Sequence, residues 1–235
     1  MQLSVFVAII AVLLAALWLR RRACTASPPA DGLEDLADAD YPEATELMTA
    51  AFRDYGFFTF IFGEQNDTRP FLRWFWPRYL RAIAVKGRVL VQRRSGRICC
   101  ISSLLPPVSQ LSRSKFGFQD LDTLTLCRHG LLELPFRFGV GRRRRTLHAL
   151  SAHEEAEKAL SAHPELRRFW MQDFLGTHPC CQGLGIGGEV LEKGAGHEAA
   201  RDGGPFPIVL STYSRRARAL YERRGFRVVG SMFAG

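Results

Sequence analysis

The stretch Cys180-Cys181-Gln182-Gly183-Leu184-Gly185-Ile186-Gly187-Gly188 follows a strand-like run, Phe169 to Thr177, and leads into Glu189-Val190-Leu191-Glu192-Lys193, which continues in helical style. Glycines let a backbone pass close to a ligand, and the first turn of a helix offers unpaired N–H groups at the positive end of its dipole. The chemistry suited to such a stretch is the holding of an anion, above all a pyrophosphate. Two common glycine-rich designs are excluded. No Lys-Ser or Lys-Thr pair follows Gly188, so the P-loop does not apply. A dinucleotide-binding fold builds further βαβ units after its glycine turn, and fewer than about 50 residues remain here for them.

What remains is the pattern Gln182-x-x-Gly185-x-Gly187 after a strand, with a second marked stretch downstream, Leu220-Tyr221-Glu222-Arg223-Arg224-Gly225-Phe226. Together they resemble the acyl-CoA pyrophosphate loop and the closing segment of the GNAT superfamily of N-acetyltransferases. The resemblance covers about residues 32 to 233 and is strongest over 166 to 231. It implies an α/β fold with a mixed central sheet flanked by helices, acetyl-CoA as co-substrate without a metal, and an amine acceptor that nothing in the sequence names. A non-catalytic acyl-CoA-binding sensor or scaffold with the same fold stays open beside the enzyme.

The resemblance also implies roles. The backbone of Gln182, Gly183, Leu184, Gly185, Ile186, Gly187 and Gly188 would hold the pyrophosphate. Leu175-Gly176-Thr177, at the end of the preceding strand, would pair with the pantetheine arm, and an N–H there could polarise the thioester oxygen. Tyr221 would protonate the departing thiolate. Asp173 lies on the same strand and, because alternate residues share a face, is expected to point where Met171 and Leu175 point; it is a candidate base for the ammonium proton, with an ordered water as the alternative. Ser214 stands where many relatives carry a cofactor-holding asparagine, and is expected to hydrogen-bond the cofactor in its place; Ala217 occupies the position of a second asparagine. Relatives also continue into a seventh strand after the one ending near Ser231, so either the domain is truncated or a partner strand is supplied from elsewhere, and the resulting edge is expected to be exposed; a homodimer is the expected assembly.

The elements that must position these residues are legible in part. Ala44, Leu47, Met48, Ala51 and Phe52 recur at helical spacing over Tyr41 to Phe52, with Asp38 or Asp40 as cap. The aromatics of Tyr55 to Phe62 and Phe71 to Trp76 suit core packing or an acceptor pocket. Gly87 to Arg93 and Ile98 to Leu105 read as strands joined at Ser95-Gly96, the second ended by Pro106-Pro107. A helical insertion is expected over about 108 to 145, where Arg142-Arg143-Arg144-Arg145 reads as a solvated helix start or a membrane-surface contact. Thr146 to His163 predicts a helix closed by Pro164. After the glycine loop follow a helix to about Arg201, a short strand over Phe206 to Ser211, a basic helix over Tyr213 to Arg224 stopped by Gly225, and a last strand over Phe226 to Ser231.

Charge and composition set the context. Lys+Arg 32 against Asp+Glu 23 gives +9, which suits an anionic ligand or an acidic membrane surface, and no nucleic-acid-binding signature accompanies it. The six cysteines form no C-x-x-C pair and none is expected to lie near a His at ligand spacing, so a metal site is not expected; a redox role for Cys180-Cys181 is conceivable. Leu3 to Leu19 carries no charge and meets Arg20-Arg21-Arg22, which predicts a transmembrane anchor over 1–22 with the following domain on the cytoplasmic side; a cleaved signal peptide is the alternative. Residues 23–31 read as a linker and 32–235 as the folded domain.

Overall fold

Helix α1 (Tyr41–Phe52) buries Tyr41, Ala44, Thr45, Leu47, Met48, Thr49 and Phe52, the stripe its spacing predicts. It belongs to a computed structural model that describes residues 32–109, 123–134, 139–160, 163–166, 168–201 and 207–231. The apolar run Leu3 to Leu19, its arginines and the linker lie outside these residues, and among the described residues no helix is long and apolar enough to cross a membrane. Asp40 sits at the N-cap of α1 but makes no cap hydrogen bond there. Its carboxylate is instead paired with the Arg93 guanidinium on the neighbouring sheet, a charge-assisted contact that outcompetes a cap.

Two aromatic helices follow, α2 (Gly56–Phe62) and α3 (Arg69–Lys86). Phe58, Phe62, Phe75, Trp76 and Tyr79 are buried in the main core, while Tyr55, Phe57 and Phe71 face the cleft described below, so the aromatic density serves core and pocket together.

The sheet has five strands in chain order: β1 (Glu34–Asp35), β2 (Arg88–Arg94), β3 (Arg97–Ser109), β4 (Arg168–Thr177) and β5 (Ile208–Leu210). The first three pairings are antiparallel and β4–β5 is parallel, giving the mixed sheet expected. Ser95 and Gly96 close the β2–β3 hairpin with φ of 50° and 74°, the left-handed pair a two-residue turn needs. Pro106-Pro107 does not end β3. The strand runs on to Ser109, and the ladder skips the two prolines, which lack N–H donors, by a register shift between Leu105 and Val108.

Between β3 and β4 lie α4 (Thr123–Arg128) and α5 (Gly139–Leu160). The helix expected from Thr146 starts earlier, so the four arginines fall inside α5 rather than at its start. Two of them join α5 to α2: Arg145 Nε donates to the Ile61 carbonyl at 2.8 Å, and the Arg142 guanidinium lies 5.2 Å from the Phe62 ring centre. Helix α6 (Ile186–Arg201) covers the other face of the sheet, and α7 (Arg215–Arg223) follows β5. Alternation along β2 separates the faces: Val89 and Val91 join the core under α1 and α3, while Leu90 faces α6, where a Cβ on Gly194 would stand 3.8 Å from it.

The last predicted strand is not formed. Gly225 stops α7 with φ +84°, and the Phe226 N–H turns back to the Tyr221 carbonyl at 3.1 Å. Residues 226–231 continue without strand pairing; Val229 packs against the main core and Val228 stays exposed.

Candidate active site

Strand β4 pairs with β5 only at Trp170, Met171 and Gln172, opposite Ile208, Val209 and Leu210. Beyond this the strands part. A cleft of about 1310 Å³ opens between them, and it is lined by Asp173 to Thr177 from β4, the glycine loop, Ser211 to Ser214, and Tyr221 of α7. The β4 edge facing the cleft has no strand partner past Gln172 among the described residues, which leaves room beside it for an extended ligand.

The parting coincides with a bulge. Ser103 pairs with Phe174 and Leu104 with Gln172, so Asp173 is the extra residue. Buried groups fix it in place: the Phe174 N–H donates to Ser103 Oγ at 2.8 Å, Gln172 Nε2 donates to the Ser103 carbonyl at 3.1 Å, and Ser102 Oγ donates to Gln172 Oε1 at 3.1 Å. This overturns the expected alternation. Met171 belongs to the core under α1 and α3, whereas Leu175 packs on the α6 side with Cys99, Cys181 and Ile186. Asp173 and Phe174 both meet Tyr79 of α3: the phenol donates to the Asp173 carboxylate, and the Phe174 and Tyr79 ring centres are 5.2 Å apart. Burial, then this carboxylate, raises the Tyr79 pKa well above its ordinary value, so the phenol stays protonated.

The glycine loop is set by backbone conformation. A short 3-10 turn, Pro179–Cys181, leaves β4, then Gly183 and Gly185 take φ of +83° and +79°, which L side chains resist. The Glu189 N–H reaches the Gly185 carbonyl at 3.1 Å, so the N–H groups of Ile186, Gly187 and Gly188 precede the first helical bond of α6. Gln182 is drawn inward, its Nε2 donating to the Thr177 carbonyl at 3.1 Å. A Cβ on Gly187 would stand 3.0 Å from Thr177 Oγ1, so glycine lets the loop lie against the strand end. Leu184 is 37% exposed and does not line the cleft.

Two arginines that the sequence reading did not single out attend this loop. Arg216 Nη1 donates to Gln182 Oε1 at 3.3 Å, and the Arg224 guanidinium would be 2.7 Å from a Cβ on Gly188 while paired with Glu192. Both line the cleft and add positive charge to the loop's N–H groups. Their only local signal is the basic character of α7.

Tyr221 also lines the cleft. Burial, then Tyr55 and Cys100, raises its pKa above the ordinary 10.0, which keeps the hydroxyl proton in place at neutral pH. Cys100 in turn touches the end of β4, its Sγ 3.3 Å from Thr177 Oγ1, and burial pushes its thiol up to about 12. A tyrosine pair forms the adjoining wall: the Tyr213 N–H donates to Tyr55 Oη at 2.9 Å, and Gly56 admits Tyr213 at 3.1 Å from where a Cβ would sit. Ser214 lines the cleft, but its hydroxyl accepts the Ala217 N–H at 3.2 Å as the N-cap of α7, so that acceptor is already used.

One expectation about the cysteines needs correction. His178 precedes Cys180 by two residues, and its Nδ1, Cys180 Sγ and Cys181 Sγ lie within 4.8 Å of one another, a set with metal-ligand character.

No family model matches the chain, and no curated protein matches it. Solved structures do. The histone acetyltransferase HPA2 and related acetyltransferase from Corynebacterium glutamicum is similar over 88% of this chain and 89% of its own, with 21% identity and a TM-score of 0.56. Arylalkylamine N-acetyltransferase 2 from Aedes aegypti is similar over 83% and 81%, with 11% identity and a TM-score of 0.54. The Drosophila melanogaster polyamine N-acetyltransferase matches over 83% and 81%, with 15% identity and a TM-score of 0.51. The described residues therefore share the fold of these acetyltransferases.

Proposed function

We propose that the chain is an N-acetyltransferase that moves an acetyl group from acetyl-CoA to a primary amine by direct transfer. The observation that carries the reading is the parting of β4 from β5 after Gln172, which opens one cleft that runs from the N-terminus of α6 to Tyr221. In this reading the loop from Gln182 to Gly188 holds the pyrophosphate with main-chain N–H groups, supported by Arg216 and Arg224. The pantetheine arm lies along Leu175-Gly176-Thr177 as an added strand, and an N–H in that segment polarises the thioester carbonyl.

The amine enters from the Tyr55–Tyr213 side. It attacks as the neutral base, so one proton must leave the ammonium first. Asp173 is assigned that proton, directly or through one water, because it is the carboxylate that the β4 bulge places at the cleft. The tetrahedral intermediate then collapses with cleavage of the C–S bond. Tyr221 gives the thiolate its proton, its raised pKa favouring the protonated form the step requires, and the second proton of the attacking nitrogen passes through solvent to restore the Tyr221 hydroxyl.

The test has two stages. Calorimetric binding of acetyl-CoA to the full chain asks whether the cleft holds the co-substrate; thiol release with a panel of polyamines, arylalkylamines, amino acids and peptides asks whether it turns over. Binding without turnover for any amine would leave an acyl-CoA sensor, and absence of binding would remove the reading altogether. Anchoring of the domain to a membrane by Leu3 to Leu19, with the catalytic cleft on the cytoplasmic side, is part of the same proposal and rests on the apolar run and its arginine flank.

A further inference from the structure

The turn between β4 and the glycine loop gathers three metal-ligating atoms from four consecutive residues. His178 Nδ1 accepts the Cys180 N–H at 3.3 Å and stands 2.9 Å from Cys180 Sγ. Cys180 Sγ is 3.5 Å from Cys181 Sγ, and all three ligand atoms fall within 4.8 Å of one another. A tetrahedral zinc ion with Zn–S bonds of about 2.3 Å and Zn–N of about 2.0 Å needs sulphurs roughly 3.8 Å apart and a nitrogen roughly 3.5 Å from each. The sulphur–sulphur spacing is close to that of a ligand cage, and to bind the ion the imidazole must release the Cys180 N–H and draw back from 2.9 Å to about 3.5 Å from Cys180 Sγ.

The backbone beneath is already anchored. The His178 N–H donates to the Cys99 carbonyl at 2.9 Å, and the Cys181 N–H to the His178 carbonyl at 2.8 Å. Cys181 is buried at 1%, against an apolar wall that includes Cys99, Cys100, Ile186 and Val190, whereas His178 and Cys180 are half-buried and leave an entry path. Two thiolates and one neutral imidazole cancel the charge of a divalent cation, which an apolar inner wall favours. A set of two sulphurs and one nitrogen suits zinc and leaves its fourth position to water.

We propose that His178, Cys180 and Cys181 form a zinc site that clamps the junction between β4 and the glycine loop. Two S–H bonds are exchanged for two Zn–S bonds, two protons go to solvent, and no electron is transferred. The site adjoins the cleft, which Cys181 helps to line, but its readout needs neither acetyl-CoA nor turnover, so failure of one reading leaves the other standing.

The full chain, purified with reductant and without chelator, is expected to retain or take up one equivalent of zinc by elemental analysis. Cobalt substitution should give the near-ultraviolet thiolate-to-cobalt band and the visible bands of a tetrahedral site. Loss of an outer-shell partner alone costs about 10–100-fold in metal affinity, so Cys180→Ser and His178→Gln, each removing a ligand, should weaken zinc by on the order of 100-fold or more. Cys127→Ser, which removes an exposed thiol on α4, should change nothing. Circular dichroism checks that each variant is folded. A folded, reduced wild-type chain that takes up no zinc overturns the proposal, as does zinc that survives both ligand substitutions unchanged or a Cys180–Cys181 disulfide that persists under reductant.

Discussion

Replacing Gly185 by Asp is the sharpest perturbation of the proposed anion site, and its size can be worked from the structure. Gly185 has φ +79°, and a Cβ there would meet nothing within 4 Å, so the change introduces backbone strain without a clash. The strain is about 1–2 kcal/mol for an L residue, and Gly185→Ala shares it. The difference between Asp and Ala is then charge. A carboxylate about 5 Å from a phosphate charge is repelled by about 0.8 kcal/mol in water and by about 3.3 kcal/mol at an effective dielectric of 20. Gly185→Asp should therefore bind acetyl-CoA about 4-fold to about 300-fold more weakly than Gly185→Ala, since 1.4 kcal/mol is tenfold. Titration calorimetry reads both values, and the gap should narrow in 1 M salt, where the Debye length falls to about 3 Å. Gly96→Asp is the control: Gly96 has φ +74°, an open surrounding and no place in the cleft, so it should lose stability but not affinity. Equal Kd values for the Asp and Ala variants at Gly185, with both folded, would refute a phosphate at this loop.

Four further outcomes are expected. Tyr221→Phe should leave the acetyl-CoA Kd nearly unchanged and lower kcat by about 10-fold or more, with single-turnover kinetics showing that chemistry limits the rate; equal rates would leave water as the acid. Because burial raises the Tyr221 pKa, its acid form is complete below the ordinary 10.0 and is lost only as pH climbs through the raised value, so the alkaline fall of kcat should lie above pH 10 and vanish in the Phe variant. Asp173→Asn should lower kcat/KM by on the order of 100-fold, and a change in Tm alone would make Asp173 only the partner of Tyr79. The full chain should stay in the membrane pellet through carbonate washing while a version starting at Asp31 is released; a mature N-terminus near Ser27 would reveal a cleaved peptide instead.

Local signals determined much of this protein. The spacing of Ala44, Leu47 and Met48 specifies a buried helix stripe, Ser95-Gly96 a tight hairpin, and Gly183, Gly185 and Gly225 the left-handed backbone that a loop and a helix stop require, because each depends on residues adjacent in the chain. Two more local signals lie in consecutive residues. Ser214 three residues before Ala217 is an N-cap pattern, and His178-Pro179-Cys180-Cys181 already holds three ligands of two types in one turn.

The rest was decided by tertiary structure. The side to which Asp173 points follows from a bulge in the β3–β4 ladder, stapled by Ser102, Ser103 and Gln172, and no period within β4 reveals a partner strand's register. The parting of β4 from β5, the meeting of Tyr55 with Tyr213 across 158 residues of chain, and the placing of Arg224 over Gly188 likewise join segments that the sequence keeps apart. Phe226 to Ser231 has the composition of a strand, yet a strand also needs a hydrogen-bonding neighbour, and among the described residues these six have none. The loop that could hold an anion is thus written in consecutive residues, while the cleft that could bring a thioester to an amine exists only once the sheet is assembled.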